Sequence, residues 1–289
     1  TDHARLFPGK FFISTALEAL ETKTAMSKEL AVRYLQRAGI AGLLIAIFYL
    51  AHFSAVATFA AIPSGDGTLA GVGKMLGALI FGWALVFIYF TKSELLTSNM
   101  MVVTVGMYHR RIGVGRSLGI LGLCLLGNFL GGLFMGALMK FSSLTGGLTG
   151  AEMLAAAEHK LAYISAGPTG WLDLLVRAIL CNFMINLAML LIYNGFVKDD
   201  LTKSLSMITA VFVFAYLSFE HSVANTVLFS IVGLRDGIDL GLASANVAIA
   251  LVGNYIGGGL MIGWYYSYAN DDRGFLRRQS TSASESVDA

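Results

Sequence analysis

Charge is what this sequence has least of. Asp, Glu, Lys and Arg make up 13% of its 289 residues, where a soluble domain carries about a quarter. The apolar fraction is 56% and the mean hydropathy +0.70. Such a chain cannot present a mostly aqueous surface, so a soluble fold is excluded and an integral membrane protein is expected. The net charge of +2 is too small to point to a nucleic-acid partner. Only two cysteines occur. Cys124 and Cys181 lie inside apolar stretches, read as small buried hydrophobes, and leave the redox compartment open. His52, His109, His159 and His221 are scattered over different segments without metal-ligand spacing. A haem or metal centre, a membrane enzyme and a cofactor are therefore not expected. No Asn-Pro-Ala triplet occurs, which removes the signature of a neutral-solute channel of the aquaglyceroporin type. The first 32 residues hold no long apolar core, so no cleavable signal peptide is expected.

What the chain does have is apolar length. A membrane-crossing helix needs about 20 apolar residues. Four segments meet this plainly: Ala38–Ile62, Leu118–Met139, Trp171–Val197 and Ser244–Tyr268. Two longer ones are interrupted. Gly71–Tyr108 carries Lys92, Ser93, Glu94, Thr97, Ser98 and Asn99 in its middle, and Leu201–Val232 carries Glu220, His221, Ser222 and Asn225. Each is read as one discontinuous span, because irregular backbone survives at membrane depth only when buried in protein or lining a cavity. The expected fold is all-α, with six transmembrane helices of which the second and fifth are broken. Residues 33–268 form the pore domain, 1–32 an N-terminal amphipathic region and 269–289 a polar tail. Glycine is abundant, at 33 residues against three prolines, which suits close helix packing in lipid. Lys10–Lys28 is expected to form a helix lying on the membrane surface through Phe11, Phe12, Leu17 and Leu20. The stretch from Gln279 to Ala289 is expected to be disordered. Fourteen of the 20 basic residues fall in the N-terminal region, at Arg110, Arg111, Arg116, Lys198 and Lys203, and at Arg273, Arg277 and Arg278. The positive-inside rule then puts both termini in the cytoplasm of a multi-pass cell-membrane protein.

The interrupted spans repeat each other. Glu94 and Asn99 recur as Glu220 and Asn225, 126 positions on. The same offset relates Gly127–Gly132 (GNFLGG) to Gly253–Gly258 (GNYIGG). Arg37-Ala38 and Arg177-Ala178 match at an offset of 140. Three spans per copy means that the second copy enters inverted, a 3+3 arrangement that places the functional site at the paired breaks.

Several of these residues resemble the formate/nitrite transporter family of anion channels. Phe219–Asn225 (FEHSVAN) carries the most specific match, supported by Glu94–Ser98 (ELLTS), Ala157–Lys160 (AEHK), Cys181–Ala188 (CNFMINLA) and Gly253–Leu260 (GNYIGGGL). The resemblance covers about Lys10 to Tyr268. It implies an aquaporin-like six-helix fold, a homopentamer and one pore per protomer. The expected cargo is a small monovalent weak-acid anion, formate first, with nitrite, hydrosulfide, lactate or acetate as alternatives, moving with protons or as the neutral acid.

The site expectations follow. An ionisable group at membrane depth is costly and usually functional, and histidine changes charge near physiological pH. His221 is therefore placed at the pore centre, where the alternative is a neutral ring capping a half-helix. Thr97 is read as the matching position in the other break, able to donate to an anion, to orient His221 or to cap its helix together with Ser98. The resemblance places Asn182 beside them, where the alternative is a polar packing contact between helices. A bare carboxylate would repel an anion, so Glu94 and Glu220, with Asn99, Asn225 and Ser222, are read as supports of the broken helices. The resemblance makes Lys160, in a long outer loop, the cation that draws anions into the vestibule, and makes Phe81, Leu85, Leu95, Phe214 and Ile185 the constriction. His52 matches no motif and is left to packing or an interface. Arg37 and Arg177 snorkel at span ends. Lys92 is expected to pair with an acidic neighbour away from the pore.

Overall fold

In the computed structural model residues 3–285 are described. In lipid each backbone polar group must be satisfied within its own segment, so long apolar runs become helices. The chain runs α1 (His3–Leu6), α2 (Lys10–Glu29), α3 (Ala31–Ala60), a two-residue hairpin (Pro63–Ser64 with Gly67–Thr68), α4 (Ala70–Phe90), α5 (Leu96–Tyr108) and α6 (Val114–Lys140). It continues through α7 (Gly147–Ser165), α8 (Pro168–Tyr193), α9 (Asp200–Tyr216), α10 (Ser222–Asp236) and α11 (Leu240–Asn254). A π-helical stretch at Tyr255–Trp264, α12 (Tyr265–Ala269) and α13 (Arg273–Glu285) complete it. Among the described residues, α3, α4, α6, α8 and the run beginning at Leu240 are long and apolar enough to cross a membrane.

Both interruptions are present, after Phe90 and after Tyr216, and they are built alike. Ser93 N–H donates to Ile88 O at 3.0 Å, and Phe219 N–H to Phe214 O at 2.9 Å. Lys92 and Ser218 adopt left-handed φ of 57° and 56°. This six-residue bond closed over a left-handed residue is the Schellman way to end a helix. Glycine usually fills that position; a non-glycine residue there costs roughly 1–2 kcal/mol. The first interruption does not halve its segment. α4 is 21 residues long and α5 only 13, whereas α9 and α10 have 17 and 15.

The wall of each break is a close helix crossing. A Cβ at Gly131 would stand 2.0 Å from Gly39 O, and one at Gly257 the same 2.0 Å from Ile179 O. Any side chain at either would press on that carbonyl, and the two positions are again 126 apart.

Three expectations are corrected. First, most of the apolar face of α2 packs against protein. Its buried face is Phe12, Ile13, Ala16 and Leu20, while Phe11 is 59% exposed and rests on Gly195. Leu20 fills the space left by Gly106 of α5, so this side of the helix is docked on the bundle. Second, the outer loop is largely helical: α7 occupies 19 residues of it, as its Ala- and Leu-rich composition favours. Third, the tail is helical as far as Glu285. α13 is anchored by a ring contact of Phe275 with Phe7 at 5.7 Å and by Arg273, whose guanidinium lies 5.8 Å from the centroid of the Tyr108 ring. Residues 286–289 of the tail lie outside the described residues.

Candidate functional site

Each break leaves backbone groups that its flanking helices cannot satisfy, and one asparagine clamps them. In the first break Leu96 N–H donates to Asn128 Oδ1 at 3.1 Å. The same amide donates to Ala38 O and Glu94 O, both at 2.8 Å. In the second, Ser222 N–H donates to Asn254 Oδ1 at 2.9 Å, and Asn254 Nδ2 donates to Ala178 O at 2.8 Å and Glu220 O at 3.0 Å. Glu94 N–H and Glu220 N–H donate to the carbonyls of Arg37 and Arg177, each at 3.3 Å.

The two carboxylates are paired. Glu94 accepts from Lys23 Nζ at 2.5 Å and from Asn99 Nδ2 at 3.0 Å. Glu220 accepts from Lys160 Nζ at 2.8 Å and from Asn225 Nδ2 at 2.6 Å. Side-chain exposure is 8% for Glu94 and 3% for Glu220. Buried carboxylates need such partners. Asn99 also donates to Tyr34 Oη at 2.9 Å, and Asn225 to Asn246 Oδ1 at 2.9 Å. Ser222 contributes its backbone N–H, while its buried hydroxyl has no partner among the described residues.

His221 caps α10. Its Nδ1 accepts from Val223 N–H at 3.1 Å and Ala224 N–H at 3.2 Å. An imidazole nitrogen that accepts carries no proton, so the neutral ring holds its hydrogen on Nε2. Nε2 lies 3.4 Å from Thr97 Oγ1. By the common offset His221 corresponds to Leu95, which begins α5 with nearly the same extended backbone. Thr97 corresponds to Val223. It faces His221 rather than matching it, and α5 has no side-chain cap.

Asn182 lines none of the cavities described below. It is fully buried, and its amide donates to Thr97 O at 3.1 Å and Asn254 O at 2.7 Å. Asn186, one turn on, donates to Thr97 O at 3.1 Å and to Asn182 Oδ1 at 2.8 Å.

Three cavities meet around the breaks. One of about 200 Å³ is lined by Lys160, Glu220, His52, Lys74 and His221. A second of about 340 Å³ is lined by Lys23, Glu94, Arg37, Lys92 and Ser98. Between them is a space of about 20 Å³, enough for about one water. Phe81 and Phe214 line both the central space and the Lys160 cavity. Their rings meet edge to face at 6.1 Å. Leu85, Ile88 and Leu95 line both the central space and the Lys23 cavity. Ile185 completes the middle, and His221 is the one polar side chain on that wall. The five residues expected to narrow the path thus come together around His221. Lys160 is buried and paired. Lys92 does not pair with a carboxylate among the described residues; it lines the Lys23 cavity with its ammonium 5.0 Å from the Tyr89 ring.

A sequence profile described as Formate/nitrite transporter matches residues 12–268. The chain belongs to the formate/nitrite transporter family. The formate channel FocA of Haemophilus influenzae is 33% identical over 158 residues, covering 54% of this chain and 52% of that one. The match therefore spans about half of that relative. A solved structure titled FNT family ion channel superposes with a TM-score of 0.74 at 23% identity, over 90% of this chain and 99% of the other. A pentameric formate channel with formate bound superposes at 0.65 and 21% identity, over 83% and 97%. At these identities the shared feature is the fold. Together the likenesses place the chain among membrane transport proteins rather than enzymes.

Sequence reasoning missed Lys23, Asn128, Asn254 and Tyr34. The asparagines were within reach, since both sit in the repeated GN-x-x-GG motif at the offset of the breaks. Lys23 was not, because it reaches Glu94 from a helix that precedes the repeat.

Proposed function

We propose that this chain forms a channel for small monovalent weak acids, with formate as cargo and the neutral acid as the crossing species. Six spans in an inverted 3+3, aquaporin-like arrangement enclose the path, with α4–α5 and α9–α10 as the broken second and fifth. Five copies assemble, one path in each, in the cell membrane with both termini cytoplasmic. The two alike breaks at one sequence offset support the inverted repeat, and the fold shared with a pentameric channel supports the assembly.

The observation that carries the reading is an apolar passage with a single polar atom. Phe81 and Phe214 line the passage and the Lys160 cavity, Leu85 and Leu95 line the passage and the Lys23 cavity, and His221 is the one polar side chain among those lining the passage. A bare charge crossing such walls costs several kcal/mol or more. A neutral acid avoids that cost and still needs one hydrogen-bond donor at mid-passage, which the Nε2–H supplies. Because Nδ1 is held by two backbone amides, His221 acts as donor to the passing acid, and the proton comes from vestibule water. Lys160 remains a charge at the vestibule wall, where its field reaches an arriving anion. Thr97 and Asn182 hold the ring and the α5 backbone in place.

The test is uptake of radiolabelled formate into proteoliposomes across a pH series. Flux at fixed total formate should rise as pH falls. A His221→Gln variant, which keeps an N–H donor, should retain a pH slope like that of the parent, and His221→Ala should lose most of the flux. A pH slope abolished in His221→Gln would instead make the ring a proton carrier. A stopped-flow panel of formate, nitrite, hydrosulfide, acetate and lactate on one preparation ranks the cargo; preference for another anion would displace formate.

A further inference from the structure

We propose that Lys74 supplies a further, carboxylate-free positive charge that gathers anions at the Lys160-side mouth, in addition to the field of Lys160. The proposal rests on the anion-channel reading above. Lys160 and Glu220 stand 2.8 Å apart with side chains 11% and 3% exposed. Viewed from the mouth, such a pair is a dipole whose field fades faster with distance than that of a single charge. Lys74, one turn into α4, lines the same cavity and is half-buried. No carboxylate pairs with it among the described residues. Its ammonium lies 5.9 Å from the centroid of the Tyr216 ring, which positions a cation through the ring quadrupole without cancelling its charge. Within the charged lining of this cavity, Lys74 is left as the net positive charge once Lys160 and Glu220 are counted together. A lysine offers a compact point charge with no fixed fork, so it attracts formate, nitrite or acetate alike. The mouth concentrates monovalent anions without choosing among them.

The experiment uses the full chain in proteoliposomes. Initial formate uptake is measured against concentration, once at low ionic strength and once at physiological salt, where screening sets in beyond about 8 Å. Lys74→Gln should raise KM by about two- to five-fold at low salt, the effect of one unit charge across about 5–10 Å of water. Vmax should stay unchanged and the difference should shrink at high salt. Lys74→Arg should restore the parent KM, and Lys74→Glu should raise it further, which a merely structural role would not produce. A parent-like KM and salt dependence in both Gln and Glu variants would overturn the proposal. Absence of formate flux in the parent channel would overturn the anion-channel reading itself, and the proposal with it.

Discussion

His221 sits where its own backbone decides its chemistry. Two amides at the start of α10 point at Nδ1, so the ring presents Nε2 to the passage as a donor. Its partner by repeat is Leu95, an apolar residue, so the passage has one polar wall and one greasy wall. Glu220 and Lys160 show the opposite logic, a buried pair in which neither charge can be removed alone. Removing one partner of a buried ion pair typically costs 3–5 kcal/mol. Glu220→Met is expected to lower the thermal midpoint in detergent strongly, while the double variant Glu220→Met with Lys160→Met recovers much of it. Equal melting of single and double variants would show that the pair is not coupled. The residues carrying the family resemblance were legible in the sequence at this scale; their hydrogen-bond roles were not. Thr97 was read as the counterpart of His221, whereas the offset of 126 assigns that place to Leu95, and the matching extended backbone at Leu95 and His221 agrees.

At the scale of elements, the breaks depend on helices that touch. Gly131→Ala and Gly257→Ala would push a methyl group against the carbonyls of Gly39 and Ile179. Overpacking of this kind costs roughly 1–3 kcal/mol. Both variants should melt earlier than Gly119→Ala, whose added carbon meets open space. The N-terminal helix offers a second measurement. Lys10 hydrogen-bonds Asp272, and that bond holds the Asp272 carboxyl below its usual range. The tie therefore stabilises docking of α2 above the ordinary carboxylate range and is lost as pH falls through the depressed value. Protection of the α2 amides, measured against their intrinsic exchange rates, should fall in acid, and Asp272→Asn should show lowered protection already at neutral pH. Apolar periodicity showed where α2 begins and ends, but not what covers it. A helix with one greasy face reads the same whether lipid or protein lies beneath it. α7 was passed over because its apolar run is too short and too mixed to count as a span.

At the scale of the molecule, two vestibules flank a passage with room for about one water. Exposed Trp83, Phe87, Leu130, Phe134, Trp264 and Tyr268 give the single chain an apolar exterior, which lipid and neighbouring copies would cover. Light scattering in detergent should return five chains per particle; a monomer would contradict the assembly proposed here. The paired breaks left a trace in sequence because both need the same Glu, Asn and Gly at the same spacing. The cavities left none in apolar spacing, since side chains from α3, α4, α8 and α9 look like ordinary packing in isolation; only the family resemblance singled out Phe81, Leu85, Leu95, Phe214 and Ile185. The most direct test of the neutral-acid route is to follow formate and internal pH together in proteoliposomes whose membrane potential is clamped. The route predicts that an inward formate gradient acidifies the lumen by one proton per formate, at a rate indifferent to the imposed potential. Formate flux that follows the potential and leaves the lumen at its starting pH would contradict it.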